Sequence, residues 1–360
     1  MSMDTATSPP PRRRRRTLRD AAALVEAGLA AASQRDALED VATRYAIAIT
    51  PEMADLIDRD DARDPIARQF VPDPAERTRL PDEIDDPIGD AAHGAAKGIA
   101  KGIVHRYPDR VLLKIVSVCP VYCRFCFRRE MVGPDKDGNL TPAELETALA
   151  YVRTHPEIRE VILTGGDPFM LSARRAEALT RALEAIAHVK VIRWHTRMPV
   201  ADPERVSDAY VAAIRSRTKA VFVAVHCNHA RELTQQARAA LGRMADAGIQ
   251  LLGQSVLLKG VNADIDTLAE LMCALVESRV RPYYLHHPDL AQGTSHFRLG
   301  VEQGQVLVRE LRDRVSGLAQ PQYVIDIPGG VSKALASPSD VEIAQGQVRL
   351  RGRDGQWREH

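Results

Sequence analysis

The chain has 360 residues, of which 45% are hydrophobic and 27% are charged, so it can bury a substantial core and intrinsic disorder cannot dominate it. Its formal net charge is only +1, which excludes a global electric field that would draw it to nucleic acid or anionic lipid. No apolar run reaches the ~18 residues of a membrane span, and five cysteines are too few for a disulfide framework, which favours reduced thiols in the cytoplasm.

The N-terminal part of the chain has the weakest pattern. Residues 1–16 are rich in proline and arginine, and we predict a disordered tail. Thr17 begins a segment with the spacing of a capping box, which predicts a helix that starts there. Helical and loop segments interrupted by prolines continue to about residue 95, so residues 17–95 are predicted to form an irregular helical arm.

From residue 96 the pattern changes to apolar runs of strand length separated by helical segments. The runs cover residues 111–118, 161–164, 189–195, 220–226, 249–258 and 282–286, with a seventh at 323–327. Helix starts are predicted at Thr141, which has a capping box, and at Asp202, and a helix is predicted over 232–247. This β/α repeat predicts parallel strands with crossover helices, in a doubly wound sheet or a TIM-like barrel.

Polar residues suited to chemistry follow these predicted strands. They are Cys119, Gly165–Asp167, Arg197, His226–His229 and Asp289. Parallel α/β folds place their active sites at the carboxyl ends of the strands. We therefore expect these residues to meet at one mouth of the fold.

Cys119, Cys123 and Cys126 form the most informative motif, because three thiols on one short loop can bind one metal centre. Iron–sulfur and structural zinc sites normally have four protein ligands. Three thiolates would leave one iron of a cubane cluster open for a substrate. The alternatives are a zinc site completed by His226 or Cys227, or three unrelated packing thiols.

This Cys-x-x-x-Cys-x-x-Cys loop resembles the defining loop of the radical S-adenosylmethionine (SAM) enzymes, which binds a [4Fe-4S] cluster. Further strings resemble the lysine 2,3-aminomutase family of these enzymes, and the likeness spans roughly residues 18–355. The strings lie at 105–110, 126–129, 163–168, 226–229, 254–258, 282–285 and 326–333. Only the cysteine loop would be specific by itself.

The resemblance implies a partial (β/α)6 TIM-like barrel of the radical SAM type over residues 96–330. The helical arm precedes it, and a short C-terminal segment, residues 331–360, follows. It also implies three cofactors: a [4Fe-4S] cluster, SAM and pyridoxal 5′-phosphate (PLP). The implied reaction converts L-lysine to β-lysine by a 1,2-amino migration that a 5′-deoxyadenosyl radical starts.

The resemblance also implies a role for individual residues. Lys333 matches the catalytic lysine that binds PLP, Arg128 matches the fork for the substrate carboxylate, and Asp289 and Asp326 match the carboxylates for the distal ammonium. Arg106 and Arg197 are predicted to bind the PLP phosphate, Arg197 mainly from its position after a strand. The SAM-binding residues implied are Gly165, Gly166, Asp167, His226 and Gln254.

Three alternatives remain open at this stage. The protein could form β-lysine for the modification of elongation factor P, since that branch of the family has a similar short tail. It could be a radical enzyme without PLP. Separately, Val331 and Ser332 stand where family members that act on free lysine have glycines, which predicts a stiffer loop before Lys333. From another class, it could be a zinc-stabilised nucleic-acid-binding module, which its net charge and 4% aromatic content oppose.

The partners expected for the aminomutase are small. They are L-lysine as substrate, an electron donor such as flavodoxin or ferredoxin, and a second copy of the chain in a homo-oligomer. Neither a membrane nor nucleic acid is expected as a partner.

Overall fold

The structure is a computed structural model and describes residues 16–94, 97–136, 138–344 and 347–360. The tail predicted to be disordered, residues 1–16, lies outside the described residues apart from Arg16. Within these ranges, the helices are too short or too polar for any of them to cross a membrane.

The N-terminal arm consists of short helices joined by loops. They are α1 (Ala21–Glu26), α2 (Arg35–Ala42), α3 (Pro51–Leu56) and α4 (Pro65–Phe70). The helix start predicted at Thr17 is wrong, because Asp20 caps α1 by accepting a hydrogen bond from Ala23 N at 2.8 Å. Leu18 pairs with Ile49 as an isolated bridge, which holds the chain extended up to this cap. The apolar side chains of the arm pack together with Val121 of the cysteine loop.

A mostly parallel sheet forms the centre of the molecule. Its strands are β1 (Ile103–Tyr107), β2 (Arg110–Val116), β3 (Glu160–Gly165), β4 (Val191–Thr196), β5 (Ala220–His226), β6 (Gln250–Val256), β7 (Arg281–His286), β8 (Gln322–Asp326) and β9 (Lys333–Leu335). The seven predicted strands are confirmed as β2 to β8.

The order of the strands in the sheet follows their order in the chain. Each neighbouring pair from β2 to β8 is parallel, whereas β1 and β9 add antiparallel edges. In the part of the chain that the structure describes, these two edges do not pair with each other, so the barrel stays open. The predicted α/β architecture of partial-barrel type is confirmed, with β8 as a seventh parallel strand.

Helices connect the parallel strands. They are α5 (Pro142–Arg153), α6 (Ala173–Glu184), α7 (Met198–Ala201), α8 (Asp208–Ile214), α9 (Gln235–Asp246), α10 (Ile265–Glu277) and α11 (Val301–Arg314). The capping box at Thr141 is confirmed. The start predicted at Asp202 yields only a 3-10 turn, and the helix predicted from residue 232 begins later, because Thr234 supplies its cap.

The strands present two chemically different faces. In β2, Val111, Leu113 and Ile115 are buried in the main core, while Arg110 and Leu112 face a cavity. Side chains alternate between the faces of a strand, so the outer face packs on the helices and the inner face can carry polar groups.

After β9, the C-terminal segment forms a separate antiparallel sheet. It consists of β10 (Val341–Ala344), β11 (Gln347–Arg351) and β12 (Trp357–Glu359). The sequence patterns did not predict these strands, because their side chains are mostly exposed and show no clear alternation.

Candidate active site

A cavity of about 670 Å³ lies on the inner face of the sheet. This volume falls within the range of small-molecule sites. The predicted site residues all line it: Arg106, Cys119, Cys123, Cys126, Arg128, Gly165, Gly166, Asp167, Arg197, His226, Gln254, Asp289, Asp326 and Lys333. The expectation that the polar residues after the strands share one mouth is confirmed for Cys119, Gly165–Asp167, Arg197, His226 and Asp289, but residues 227–229 are not among those that line the cavity.

The cysteine loop follows β2, and residues of the N-terminal arm bind it through hydrogen bonds and ion pairs. Arg124 N donates to Gln69 O at 2.8 Å, and the Arg124 guanidinium forms a bidentate ion pair with the buried Glu76 carboxylate. Arg129 donates to the same carboxylate. Sequence patterns did not identify Glu76, because a lone glutamate in an irregular segment carries no recognisable signal.

Burial raises the pKa of all three thiols, that of Cys126 to about 11. Thiolates in such surroundings need a cationic centre to balance their charge. Among the described residues, no group of three or more His, Cys, Asp or Glu side chains could hold a single metal ion. Cys227, a ligand in the zinc alternative, is packed into the main core, and its thiol donates to His229 O.

The glycine turn after β3 packs directly on the start of the cysteine loop. Gly165 has a φ of +113°, and a Cβ added there would lie 2.4 Å from Val116 O. A Cβ on Gly166 would lie 2.4 Å from Val118 O. Both glycines are required by this close backbone approach.

Asp167 connects this turn to the end of β4. Its carboxylate accepts hydrogen bonds from Thr196 Oγ1 at 2.7 Å, Arg197 N at 2.8 Å and Phe169 N at 2.9 Å. Burial raises the pKa of Asp167 even though these bonds oppose the change. The carboxylate therefore fixes the backbone that lines the cavity.

Lys333 and Asp326 form an ion pair at the end of the sheet. Lys333 Nζ lies 2.7 Å from Asp326 Oδ1 and 2.5 Å from Oδ2. His286 Nδ1 is 3.4 Å from Asp326 Oδ2, and Arg106 Nη1 is 3.7 Å from Oδ1. Burial would raise the pKa of Asp326, but the His286 hydrogen bond and the Lys333 charge hold it below its ordinary value.

Asp289 lines the same cavity, but its pKa is shifted upward, whereas that of Asp326 is shifted downward. Burial and the nearby Asp326 charge raise the pKa of Asp289 to about 7. Across the described ranges, the structure gives this carboxylate no hydrogen-bond donor and no salt bridge. A carboxylate in this position can bind a cation that enters the cavity.

Arg128 is held by a carboxylate that the sequence patterns missed. Arg128 Nε lies 2.9 Å from Asp90 Oδ2, and Nη2 lies 3.5 Å from Oδ1. Nη1 donates to Thr164 Oγ1 at 3.2 Å, and Lys114 Nζ is 3.3 Å from Asp90. Arg128 and Lys114 share the single negative charge of Asp90, so the three side chains together keep a net positive charge that can attract an anionic ligand.

The loop before Lys333 is clamped by the arm segment that carries Asp90. A Cβ on Gly330 would lie 2.1 Å from Ile88 O, and a Cβ on Gly89 would lie 2.1 Å from Gly329 O. Arg106 Nη2 donates to the same Ile88 carbonyl. Contact between the two backbones therefore fixes the loop that presents Lys333.

Arg197 lies next to the cysteine loop. Its guanidinium donates to Glu232, Gln69 and Cys123 Sγ, whereas Arg106 lies beside Asp326, the partner of Lys333. Arg106 is therefore the better placed of the two for the PLP phosphate, and the phosphate-binding role of Arg197 stays a prediction.

Further polar side chains reach the cavity from within the strands. Gln254 Nε2 lies 3.0 Å from His286 Nε2, and burial lowers the pKa of His226 to about 3, so its ring is neutral. Arg193 and His195 of β4 also line the cavity. The sequence analysis missed these two, although polar residues two positions apart in an apolar strand are the signal of a polar inner face.

The residues present fit the three groups implied by the resemblance. The three half-buried thiols of the cysteine loop suit an iron–sulfur cluster, whose iron would balance the charge of their thiolates. In the described residues, His195 Nε2, Gln254 Oε1 and Arg106 Nε are buried without a hydrogen-bond partner. Buried polar atoms are normally satisfied, so these three can serve bound molecules.

Comparisons with known proteins agree with this site. The sequence profile of the Radical SAM superfamily matches residues 113–272. The L-lysine 2,3-aminomutase of Clostridium subterminale is 37% identical over 86% of this chain and 73% of its own. That of Escherichia coli K12 is 35% identical over 84% of this chain and 85% of its own. The glutamate 2,3-aminomutase of Clostridioides difficile is 33% identical over 85% of this chain and 71% of its own length.

The fold and the cysteine loop are thus those of a radical SAM enzyme. Within that class, the chain belongs to the lysine 2,3-aminomutase family, whose members are isomerases. The cofactors of the family are a [4Fe-4S] cluster, SAM and PLP.

Proposed function

We propose that this protein converts L-lysine to β-lysine by moving the amino group from C2 to C3. The observation that carries the proposal is the Asp289 carboxylate, which has no hydrogen bond or salt bridge among the described residues and lines the same cavity as Asp326. Two carboxylates suit the distal ammonium of lysine. The side chain of glutamate would bring a third negative charge to them, at a cost of several kcal/mol if it stayed unpaired.

Each end of the substrate then has its own group in the protein. Arg128 would hold the α-carboxylate as a bidentate fork, with its orientation fixed by Asp90. Asp289 would hold the distal ammonium together with Asp326, which pairs with Lys333 in this structure. Such fixed contacts at both ends orient C2 and C3 for the reaction.

The cofactors have their own candidate residues. Cys119, Cys123 and Cys126 would hold the cluster, Lys333 would carry PLP, and Arg106 would contact the PLP phosphate. Gly165, Gly166, Asp167, His226 and Gln254 would lie against SAM. When bound, SAM and the cluster supply the hydrogen-abstracting radical, and PLP carries the migrating amino group.

The experiment that tests this function uses the full chain, reconstituted without oxygen with iron, sulfide, PLP, SAM and a strong reductant. L-lysine and L-glutamate are supplied separately, and products are separated by chiral chromatography. We expect β-lysine from lysine and no β-glutamate. β-Glutamate as the main product, or no product from a protein with a full cluster, would overturn the proposal.

The remaining expectations belong to the same proposal. We expect a low-potential electron donor such as flavodoxin or ferredoxin, a homo-oligomer, and a cytoplasmic location, since the cluster thiols require reducing surroundings.

A further inference from the structure

Arg197 joins the cysteine loop to two other parts of the fold. Its Nη1 donates to Cys123 Sγ at 3.4 Å, and its Nη2 donates to Gln69 Oε1 at 2.6 Å and to Glu232 Oε2 at 2.5 Å. The buried guanidinium also lies 4.8 Å from the centre of the Phe70 ring. These contacts fix the guanidinium against the sulfur.

The counter-charge of Arg197 is equally fixed. The Glu232 side chain is fully buried and accepts hydrogen bonds from Gln69 Nε2, Asn228 N and His229 N, each at 3.0 Å. An arginine keeps its charge in such a place. The permanently charged Arg197 therefore donates a hydrogen bond to Cys123 Sγ through Nη1, and Glu232 balances its charge at Nη2.

We infer that Arg197 raises the reduction potential of the iron–sulfur cluster through its hydrogen bond to Cys123 Sγ, and that the negative charge of Glu232 partly offsets this effect. Reduction adds negative charge to the cluster, so a nearby fixed cation stabilises the reduced form. Hydrogen bonds to the sulfurs are one of the features that set such potentials. The inference depends on the cluster and not on which amino acid the enzyme isomerises.

A purely architectural role is the competing explanation. Arg197 also connects Gln69 of α4 to Glu232, so its loss could simply loosen the arm. The reduction potential separates the two explanations, because an architectural role would change cluster content or protein stability without shifting the potential in a direction set by charge.

The test uses full-length protein with reconstituted cluster and with iron and sulfide content measured first. Redox titrations followed by electron paramagnetic resonance are compared for wild type, Arg197→Gln, Arg197→Lys and Glu232→Gln. We expect Arg197→Gln to lower the ratio of reduced to oxidised cluster at a fixed potential by about tenfold, equal to about 59 mV for one electron. Arg197→Lys should give a smaller decrease, and Glu232→Gln should shift the potential upward.

Arg205→Gln serves as the control, because the guanidinium of this exposed arginine donates to Phe169 O and Met170 O, and its loss should leave the potential unchanged. A wild-type potential in Arg197→Gln with full cluster content would overturn the inference. So would shifts of the same sign in Arg197→Gln and Glu232→Gln. If Arg197→Gln fails to hold a cluster, Arg197→Lys and Glu232→Gln decide, and wild-type potentials in both would overturn it.

Discussion

Lys333 Nζ forms a bidentate ion pair with the Asp326 carboxylate, at 2.7 and 2.5 Å. The side chain matched to cofactor attachment is thus held by a carboxylate matched to substrate binding. The two roles would both draw on this pair, because PLP would bind through Nζ and the distal ammonium of the substrate would bind to Asp326. The pair also holds Lys333 toward the cavity.

Replacing Lys333 by alanine should abolish the visible absorbance that PLP gives when it binds covalently to the protein. Turnover of lysine should fall below detection, since no other described lysine lines the cavity. Lys259→Ala is the matched control, because Lys259 is exposed and outside the cavity. Unchanged absorbance in Lys333→Ala would contradict the assignment and would favour a radical enzyme without PLP.

Asp289→Asn should lose lysine turnover by about 100-fold, the effect expected when one partner of a buried charged contact is removed. Cleavage of SAM by the reduced cluster should continue, because Asp289 serves the distal ammonium. Turnover and release of 5′-deoxyadenosine are measured in the same reaction. Asp313→Asn on α11 is the control. Wild-type turnover in Asp289→Asn would show that the Asp289 carboxylate does not bind the distal ammonium of the substrate.

The pH dependence of the reaction should report Asp289. Burial and the Asp326 charge raise its pKa to about 7, and only the ionised form attracts an ammonium group. The value of kcat/KM for lysine reflects the free enzyme and should therefore rise as the pH increases through about 7. We expect Asp289→Asn to lose this inflection, and an unchanged inflection in that variant would assign it to another group.

Gly330→Ala should weaken PLP binding more than Gly329→Ala. Both glycines have positive φ, +75° and +80°, so both changes strain the backbone similarly. Only at Gly330 does the added Cβ meet backbone, 2.1 Å from Ile88 O, whereas at Gly329 no atom lies within 4 Å. PLP titrations measure the difference, and equal affinities would show that the clamp on the Lys333 loop is not needed.

Asp90→Asn should raise KM for lysine by about tenfold with a smaller change in kcat. The reason is that Arg128 loses the charged partner that fixes its orientation, while its own charge remains. Glu39→Gln removes an exposed carboxylate paired with Arg35 and serves as the control. A fall in kcat with unchanged KM would indicate that Asp90 acts on the reacting atoms instead.

Sequence patterns predicted the framework of the site because it rests on local rules. The apolar runs at 161–164 and 220–226 became β3 and β5, and most of the residues placed after strands line one cavity, residues 227–229 excepted. The Thr141 capping box formed as expected, since its two hydrogen bonds depend on only a few consecutive residues.

The partners that hold the site residues could not be predicted in this way. Asp90, Glu76 and Glu232 act through ion pairs with residues 38, 48 and 35 positions away. No local pattern encodes such contacts. Arg197 is the clearest example. Its position directly after β4 was predicted correctly, but its side chain points toward the cysteine loop because it binds Glu232 and Gln69.

The Glu76 carboxylate bonded to Arg124 and Arg129 makes the arm part of the apparatus that shapes the cysteine loop. A chimaera that receives the barrel of a relative should therefore also receive the arm of that relative. A transplanted barrel with a foreign arm would leave two buried guanidinium groups without their anion, and its failure would look like defective metal loading although every cysteine was intact.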